Sequence, residues 1–392
     1  MATNTDIPQG YKATALGIIP QEWKTIRLKD CFSISAGGDV QKDCFSEAPS
    51  LQYKYPIYSN SLFNHGLYGF TSHPRHKANS ITITGRGALG HAEYREIDFD
   101  AIVRLLVLAP KIPLNGQYIT EYINFRKPFF YESTGVPQLT APQIANIQVL
   151  FPPLGEQRKI AEVLGVWDEA IEKQARLIEK LALRKRGLMQ RLLSAKLRLP
   201  GFSEPWKIHK LQELFTERNE TNRTDLPLLS ITGDRGVILQ TESEKRDTSN
   251  DDKSKYKRIA KGDIGYNTMR MWQGRSALSG LEGIVSPAYT IVVPNTDVDG
   301  YYMSVLFKQP RLIYDFWTHS QGLVGDTLNC KYRDFGQVHI CCPPLAEQKA
   351  ITEVLTAADR EIELAKEKLE RLRRQKRGLM QQLLTGKKRM KY

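Results

Sequence analysis

Pro152-Pro153-Leu154-Gly155-Glu156-Gln157 returns 191 residues later as Pro343-Pro344-Leu345-Ala346-Glu347-Gln348. At the same offset Lys185-Arg186-Gly187-Leu188-Met189-Gln190 returns as Lys376-Arg377-Gly378-Leu379-Met380-Gln381. From 152 to 196 the match runs without a gap, with 23 of 45 positions identical, so chance is excluded and a duplication organises the chain. A fainter echo lies upstream, where Trp23-Lys24 with Leu28 and Phe32 matches Trp206-Lys207 with Leu211 and Phe215 at an offset of 183. The stretches inside these signatures, 33–150 and 216–341, do not align. The frame is duplicated and its contents differ.

The repeated segments read as long helices. In the second, Ile351, Leu355, Ala358, Ile362, Ala365, Leu369, Leu372, Leu379 and Leu383 fall at alternating steps of four and three, skipping one position at Lys376. The equivalent positions of the first are Ile160, Leu164, Trp167, Ile171, Gln174, Ile178, Leu181, Leu188 and Leu192, with Lys185 in the skipped slot. This is the heptad seam of paired helices. Pro-Pro before each helix and Pro200-Gly201 after the first supply start and stop signals. Each helix of about 40 residues is expected to be roughly 60 Å long. Parallel pairing would force the second variable domain to bridge that distance, whereas domain termini usually lie close together. Antiparallel pairing is therefore expected, with a pseudo-twofold relation and a different globular head at each end of a spacer rod.

The heads read as α/β (α+β) domains. Ser80-Ile81-Thr82-Ile83-Thr84, Ala101-Ile102-Val103-Arg104-Leu105-Leu106-Val107-Leu108 and Tyr289-Thr290-Ile291-Val292-Val293 are strand-like runs rich in β-branched residues, bounded by Gly or Pro. The expected division is 1–151 for the first head, 152–198 for the central helix, 199–342 for the second head and 343–392 for the C-terminal helix.

Across 392 residues the formal net charge is +13, which makes nucleic acid a natural partner. Eleven of those thirteen surplus charges lie in 152–198 and 343–392, leaving the heads near neutral. Phosphate contacts usually dominate DNA affinity, so weak binding by the isolated chain is expected. A local basic run, Lys253, Lys255, Lys257, Arg258 and Lys261, could follow a backbone. Arg184-Lys185-Arg186 and Arg373-Arg374 with Lys376-Arg377 lie too far from the helix ends to be dipole caps. A partner-binding or phosphate-facing role is balanced there against a solvated face. No run approaches the roughly 18 apolar residues of a membrane span, and Met1–Asp6 shows no secretory pattern, so a cytoplasmic protein is expected. The five cysteines, Cys31, Cys44, Cys330, Cys341 and Cys342, have no C-x-x-C spacing and suggest neither a disulfide framework nor zinc. His73 and His76 are separated by Pro74 and have no carboxylate or thiol nearby in sequence, so no metal is expected.

Catalytic motifs are missing. The Pro-Pro pairs lack the polar residue before and the aromatic after that an adenine methyltransferase needs. Gly85-Arg86-Gly87-Ala88-Leu89-Gly90 fits G-x-G-x-x-G, yet a strand-like alternation rather than a helix follows it, which argues for a turn and against a dinucleotide cofactor. There is no phosphate-binding G-x-x-x-x-G-K-[ST] loop, and Asp334-Phe335-Gly336 lacks the other kinase motifs. No cofactor is expected.

Base reading calls for Arg, Asn, Gln and His on turns, because Arg pairs bidentately with guanine and Asn or Gln with adenine. In the first domain Ser59-Asn60-Ser61, Asn64-His65, Arg75-His76 and Arg86 qualify, with Asn60, Arg75, His76 and Arg86 the strongest. In the second the cluster Asn267, Arg270, Gln273 and Arg275 stands out, supported by Lys331 and Arg333. Solvated loop residues are the plain alternative for each.

The two Pro-Pro-Leu-x-Glu-Gln helix starts, the two Lys-Arg-Gly-Leu-Met-Gln segments and Gly17-Ile18-Ile19-Pro20-Gln21-Glu22-Trp23 resemble the specificity (S) subunits of type I restriction-modification systems over nearly the whole chain. The resemblance implies two target recognition domains, each reading one half of a split DNA site. It also implies a helical spacer that docks two methyltransferase (M) subunits, to which restriction (R) subunits can add. The chain would then be a binding subunit and not an enzyme. The alternatives are the specificity subunit of a methyltransferase without a nuclease, or a coiled-coil scaffold.

Overall fold

The computed structural model describes residues 7–127, 138–233, 235–243, 251–322 and 328–391. The chain divides into two compact units, one of residues 1–176 with 366–392, the other of 177–365. Each unit therefore contains half of both long helices, Leu154–Leu192 and Leu345–Leu383.

In the first unit the backbone enters through Lys24–Arg27, which pairs antiparallel with the exit strand Gln148–Phe151. A single helical turn, Leu28–Cys31, then leads into a four-stranded antiparallel sheet. Its strands are β1 (Phe32–Ala36), β2 (Ser80–Ile83), β3 (Ala92–Arg95) and β4 (Leu106–Pro110), in the spatial order β1-β4-β2-β3. All of β2 is buried, so its β-branched residues pack on both faces. Its hydroxyls stay satisfied: Thr82 Oγ1 accepts from Arg95 Nε at 2.9 Å, and Ser80 donates to Lys77 O at 2.8 Å. The helix Gly116–Arg126 is capped by Asn115, whose side chain accepts from Tyr118 N at 2.8 Å, and it covers the sheet with Tyr118, Ile119, Tyr122 and Ile123.

The second unit is built on the same plan. Lys207–Lys210 pairs antiparallel with His339–Cys342, and the turn Leu211–Leu214 follows. Its four-stranded sheet comprises β5 (Phe215–Glu217), β6 (Ile264–Asn267), β7 (Ser276–Leu278) and β8 (Tyr289–Pro294), ordered β5-β8-β6-β7. That is the topology of the first unit, although the sequences do not align. Even the register repeats, since Phe32 pairs with Pro110 and Phe215 with Pro294. Asp299 caps the helix Gly300–Leu306 by accepting from Tyr302 N at 2.7 Å, as Asn115 does in the first unit.

The inserts are where the units part. The first carries a second four-stranded sheet, Asp100–Ala101, Tyr55–Tyr58, Leu67–Thr71 and Phe45–Ser46 in spatial order. The second instead has two two-stranded sheets, Leu229–Ile231 with Val237–Leu239 and Lys257–Ile259 with Gly283–Val285. It also has an added helix, Pro310–His319.

Along both long helices the heptad positions are the buried ones. Ile160, Leu164, Gln174, Leu181 and Leu192 are buried, with Trp167, Ile171 and Ile178 partly so. On the second helix Ile351, Leu355, Ala358, Ala365, Leu369 and Leu383 are buried, with Ile362 and Leu372 partly so. Among the described residues no helix is long and apolar enough to cross a membrane.

Candidate nucleic-acid interface and its helical frame

The Pro-Pro-Leu-x-Glu-Gln repeat does more than start a helix. Glu156 is completely buried, and its carboxylate accepts from Trp23 Nε1 at 2.9 Å and from Arg389 Nε and Nη2 at 2.8 and 3.0 Å. In the second unit Glu347 accepts from Trp206 Nε1 at 3.2 Å and from Arg198 Nε and Nη2 at 2.6 and 2.8 Å. Such a bidentate guanidinium is what makes a buried carboxylate tolerable. The neighbouring glutamine is a second fastener. Gln157 donates to Pro152 O and accepts from Asn115 N, while Gln348 donates to Pro343 O and accepts from Asp299 N. Each node thus ties the start of one long helix to the inbound strand, to the covering helix and to the segment that follows the other long helix.

The lysine in each skipped heptad slot is an interhelical key. Lys376 Nζ lies 2.6 Å from Asp168 Oδ1 and 2.9 Å from Glu121 Oε2, and only 13% of its side chain is exposed. Lys185 Nζ lies 2.5 Å from Asp359 Oδ1, whose other oxygen accepts from Tyr301 at 2.6 Å. Asp168 and Asp359 are themselves repeat equivalents. Within each unit, therefore, the start of one helix meets the end of the other, and the pairing is antiparallel. A charged pair inside an apolar seam penalises slipped registers, because any slip leaves the ammonium buried without its carboxylate. Burial pushes Glu121 up from 4.5 to about 7, against the pull of Lys376.

In the first unit Arg86 stands exposed on the glycine turn between β2 and β3, with Nη2 3.3 Å from Gln138 Oε1. The G-x-G-x-x-G stretch is thus a hairpin connection, with Gly87 and Gly90 at positive φ. Asn60 lies next to this turn. Its Oδ1 accepts from Gly85 N at 2.7 Å and its Nδ2 donates to Val103 O at 2.6 Å. Arg75 grips the buried Asp100 with Nε and Nη2 at 2.6 and 2.9 Å. His76 stacks on Phe99 at 5.3 Å, and burial lowers its pKa in spite of Asp100. Asn60, Arg75 and His76 thus have internal partners, while Arg86 faces solvent.

Sequence reasoning named Asn64-His65 near Asn60 but passed over Phe63, Val103 and Arg104, which the backbone displays openly. Phe63 is 85% exposed beside Asn64 and His65, both at positive φ, and Val103 and Arg104 form a second exposed pair at positive φ. For a β-branched residue such as Val103 that conformation is a true outlier, of the kind that gathers at ligand sites. The Asn64-His65 pair that the sequence marked as a turn is what presents Phe63.

In the second unit Asn267 Oδ1 accepts from Met269 N at 3.0 Å, shaping a turn from which Arg270, Gln273 and Arg275 project into solvent. Thr268 O accepts from Cys330 N at 2.8 Å, so Lys331 and Arg333, both exposed, join the same surface. The structure therefore brings all six predicted residues of this unit together. Of the basic run at 253–261, Arg258 is bound by Glu220 and Glu282. Among the described residues no group of three or more His, Cys, Asp or Glu is placed to hold a metal ion.

The duplicated helical frame thus presents a different set of polar and cationic loops in each unit. Residues 20–182 match the family model described as the type I restriction modification DNA specificity domain. Over 145 residues the chain is 33% identical to a candidate type I specificity subunit of Mycoplasma pneumoniae, covering 37% of this chain and 39% of that protein. It is 22% identical over 418 residues to the type I restriction enzyme MjaVIII specificity subunit of Methanocaldococcus jannaschii, covering 95% and 94% of the two. The fold is similar to that of the S subunit of a type I restriction-modification system from M. genitalium, with TM-score 0.59, 15% identity and coverage of 92% and 96%. Over nearly its whole length the chain is thus similar to specificity subunits of type I restriction-modification systems.

Proposed function

We propose that this chain is the DNA-reading, non-catalytic subunit of a type I restriction-modification enzyme, in which each unit reads one half of a bipartite target. The observation that carries this reading is the twofold construction. One frame, with its buried Trp-Glu-Arg node, its Lys-Asp key and one sheet topology, is built twice around unlike loops. An identical frame keeps the two heads in a fixed relation to the helices, while unlike loops give each head its own bases. Arg270, Gln273, Arg275, Lys331 and Arg333 serve the second half-site, and Arg86 with the exposed loop around Phe63 serves the first. The paired helices set the spacing between half-sites and dock two methyltransferase subunits, through which restriction subunits join. Supplementary cations from those partners explain how near-neutral heads hold a polyanion.

The test is an exchange of residues 33–150 for the corresponding segment of a relative, followed by sequencing of methylated adenines in host DNA. One half of the methylated motif is expected to change and the other to persist. A change in both halves, or in neither, would count against independent reading heads.

A further inference from the structure

In the first unit the hairpin Tyr11–Thr14 with Gly17–Pro20 covers the end of the second long helix. Tyr11 donates to Gly386 O at 3.1 Å, Leu16 packs on the core, and Ile19 is buried in one cluster with Trp23, Leu150 and Leu384. The same frame positions in the second unit are Trp206, Cys341, Leu193 and Ala195. There Trp206 is only partly buried and Cys341 is exposed, where Trp23 and Leu150 are buried. Together these positions line a cavity of about 420 Å³, whose opposite wall is the helix Pro310–His319. Ile208, the register partner of Cys341, is 71% exposed. The cavity lining carries Lys196, Arg311 and His339 against one carboxylate, Asp315.

We propose that this groove receives an extended segment of another polypeptide, one that inserts an aliphatic side chain and offers a carboxylate to the cationic lining. The first unit shows the pattern: Ile19 fills the groove and Glu22 accepts from Arg389 Nη2 at 2.8 Å. In the second unit the equivalent Arg198 already gives its Nη2 to Glu204 O and Glu347, and it is Lys196 and Arg311, against Asp315, whose charges call for an acid in the cavity. One substitution in the frame argues against a second copy of this chain as the occupant. A Cβ on Gly386 would lie 2.4 Å from Pro20 Cδ, and the equivalent residue, Ala195, has that Cβ. The occupant is therefore a segment without a proline ring at that point.

The probe is a fluorescein-labelled peptide of the sequence 9–22 carrying Pro20→Ala, titrated against the full chain by anisotropy, with alkylation of Cys341 followed in parallel. Saturable binding that protects Cys341 is expected. The unsubstituted peptide should bind roughly tenfold or more weakly, as an overpacked contact requires, and Ala195→Gly in the chain should restore it. Arg311→Glu, at an exposed position, should weaken binding without altering the melting temperature. The proposal is overturned if neither peptide binds saturably, or if binding leaves Cys341 as reactive as before. It is equally overturned if Cys341 becomes protected on concentrating the chain alone, which would make a second copy the occupant.

Discussion

Replacing Arg389 by Met should cost the first unit more than any other single change in its frame. Glu156 is fully buried, and its two oxygens have Arg389 Nε and Nη2 at 2.8 and 3.0 Å as their only cationic partners among the described residues. Stranding a buried carboxylate in this way costs about 3–5 kcal/mol. For a unit of about 200 residues this is a fall in Tm of roughly 6–20 °C, at about 2–4 °C per kcal/mol. Glu156→Ala should cost less, about 2–3 kcal/mol, because it orphans the N–H groups of Trp23 and Met390 while Arg389 keeps Glu22 and water. The double variant should then resemble Glu156→Ala alone, since the cation has no remaining task. The assay is thermal unfolding followed by circular dichroism, run as a double-mutant cycle. An Arg389→Met melting point within about 2 °C of the parent, or strictly additive single effects, would refute the reasoning.

Glu121 gives a pH dependence of definite sign. Its pKa is raised on folding from 4.5 to about 7, so the folded state binds the extra proton between those values and the stability of the first unit falls as pH rises through that window. Glu121→Gln should remove up to ~3 kcal/mol of that slope and be more stable than the parent at pH 8, which urea titrations at pH 5 and 8 would test. Thiol labelling should modify Cys341 first, while Cys31 and Cys330, pushed up to about 12 by burial, and Cys342, at about 11, react only on unfolding, as mass spectrometry of timed samples can show. Arg270→Ala or Arg275→Ala should weaken binding of the assembled enzyme to its own site by ~1–3 kcal/mol and relax base preference in one half only, measured by competition binding at fixed salt.

The helices were legible because a seam residue is decided by neighbours three and four positions away, and that period survives in the sequence. The meaning of Glu156 was not, since its partners stand 133 residues upstream at Trp23 and 233 downstream at Arg389. The repeat equivalents of those partners, Trp206 and Arg198, were visible only as an echo and as a residue just past the aligned block. The shared sheet topology stayed hidden for a different reason. Many side chains fit a buried pleated strand, so Ser-Ile-Thr-Ile in β2 and Ile-Gly-Tyr-Asn in β6 occupy one position without resembling each other. Among the loop residues, Arg75 and Arg270 look alike in sequence. What separates them is Asp100, which lies 25 residues from Arg75 and holds it inside the fold, whereas the loop of Arg270 faces solvent. Charge density misled in the same way: the helix lysines that suggested phosphate or partner binding include two, Lys185 and Lys376, whose ammonium groups are spent between the helices.

The two nodes close at different times during synthesis. All the parts of the second unit lie in one unbroken stretch, 177–365, so it can fold as soon as that stretch has left the ribosome. The first unit must wait, because Trp23 and Glu156 receive Arg389 only when translation has passed residue 389. At about 5–20 residues per second the interval between Trp23 and Arg389 is roughly 20–70 s, during which the inbound strand and half of the first helix have no permanent cation and no partner helix. The order of assembly is thus inner unit first and outer unit last. Through that interval the core cluster that holds Ile160 and Leu164 lacks Met380, Leu383 and Leu384, its contribution from the second helix and the residue after it.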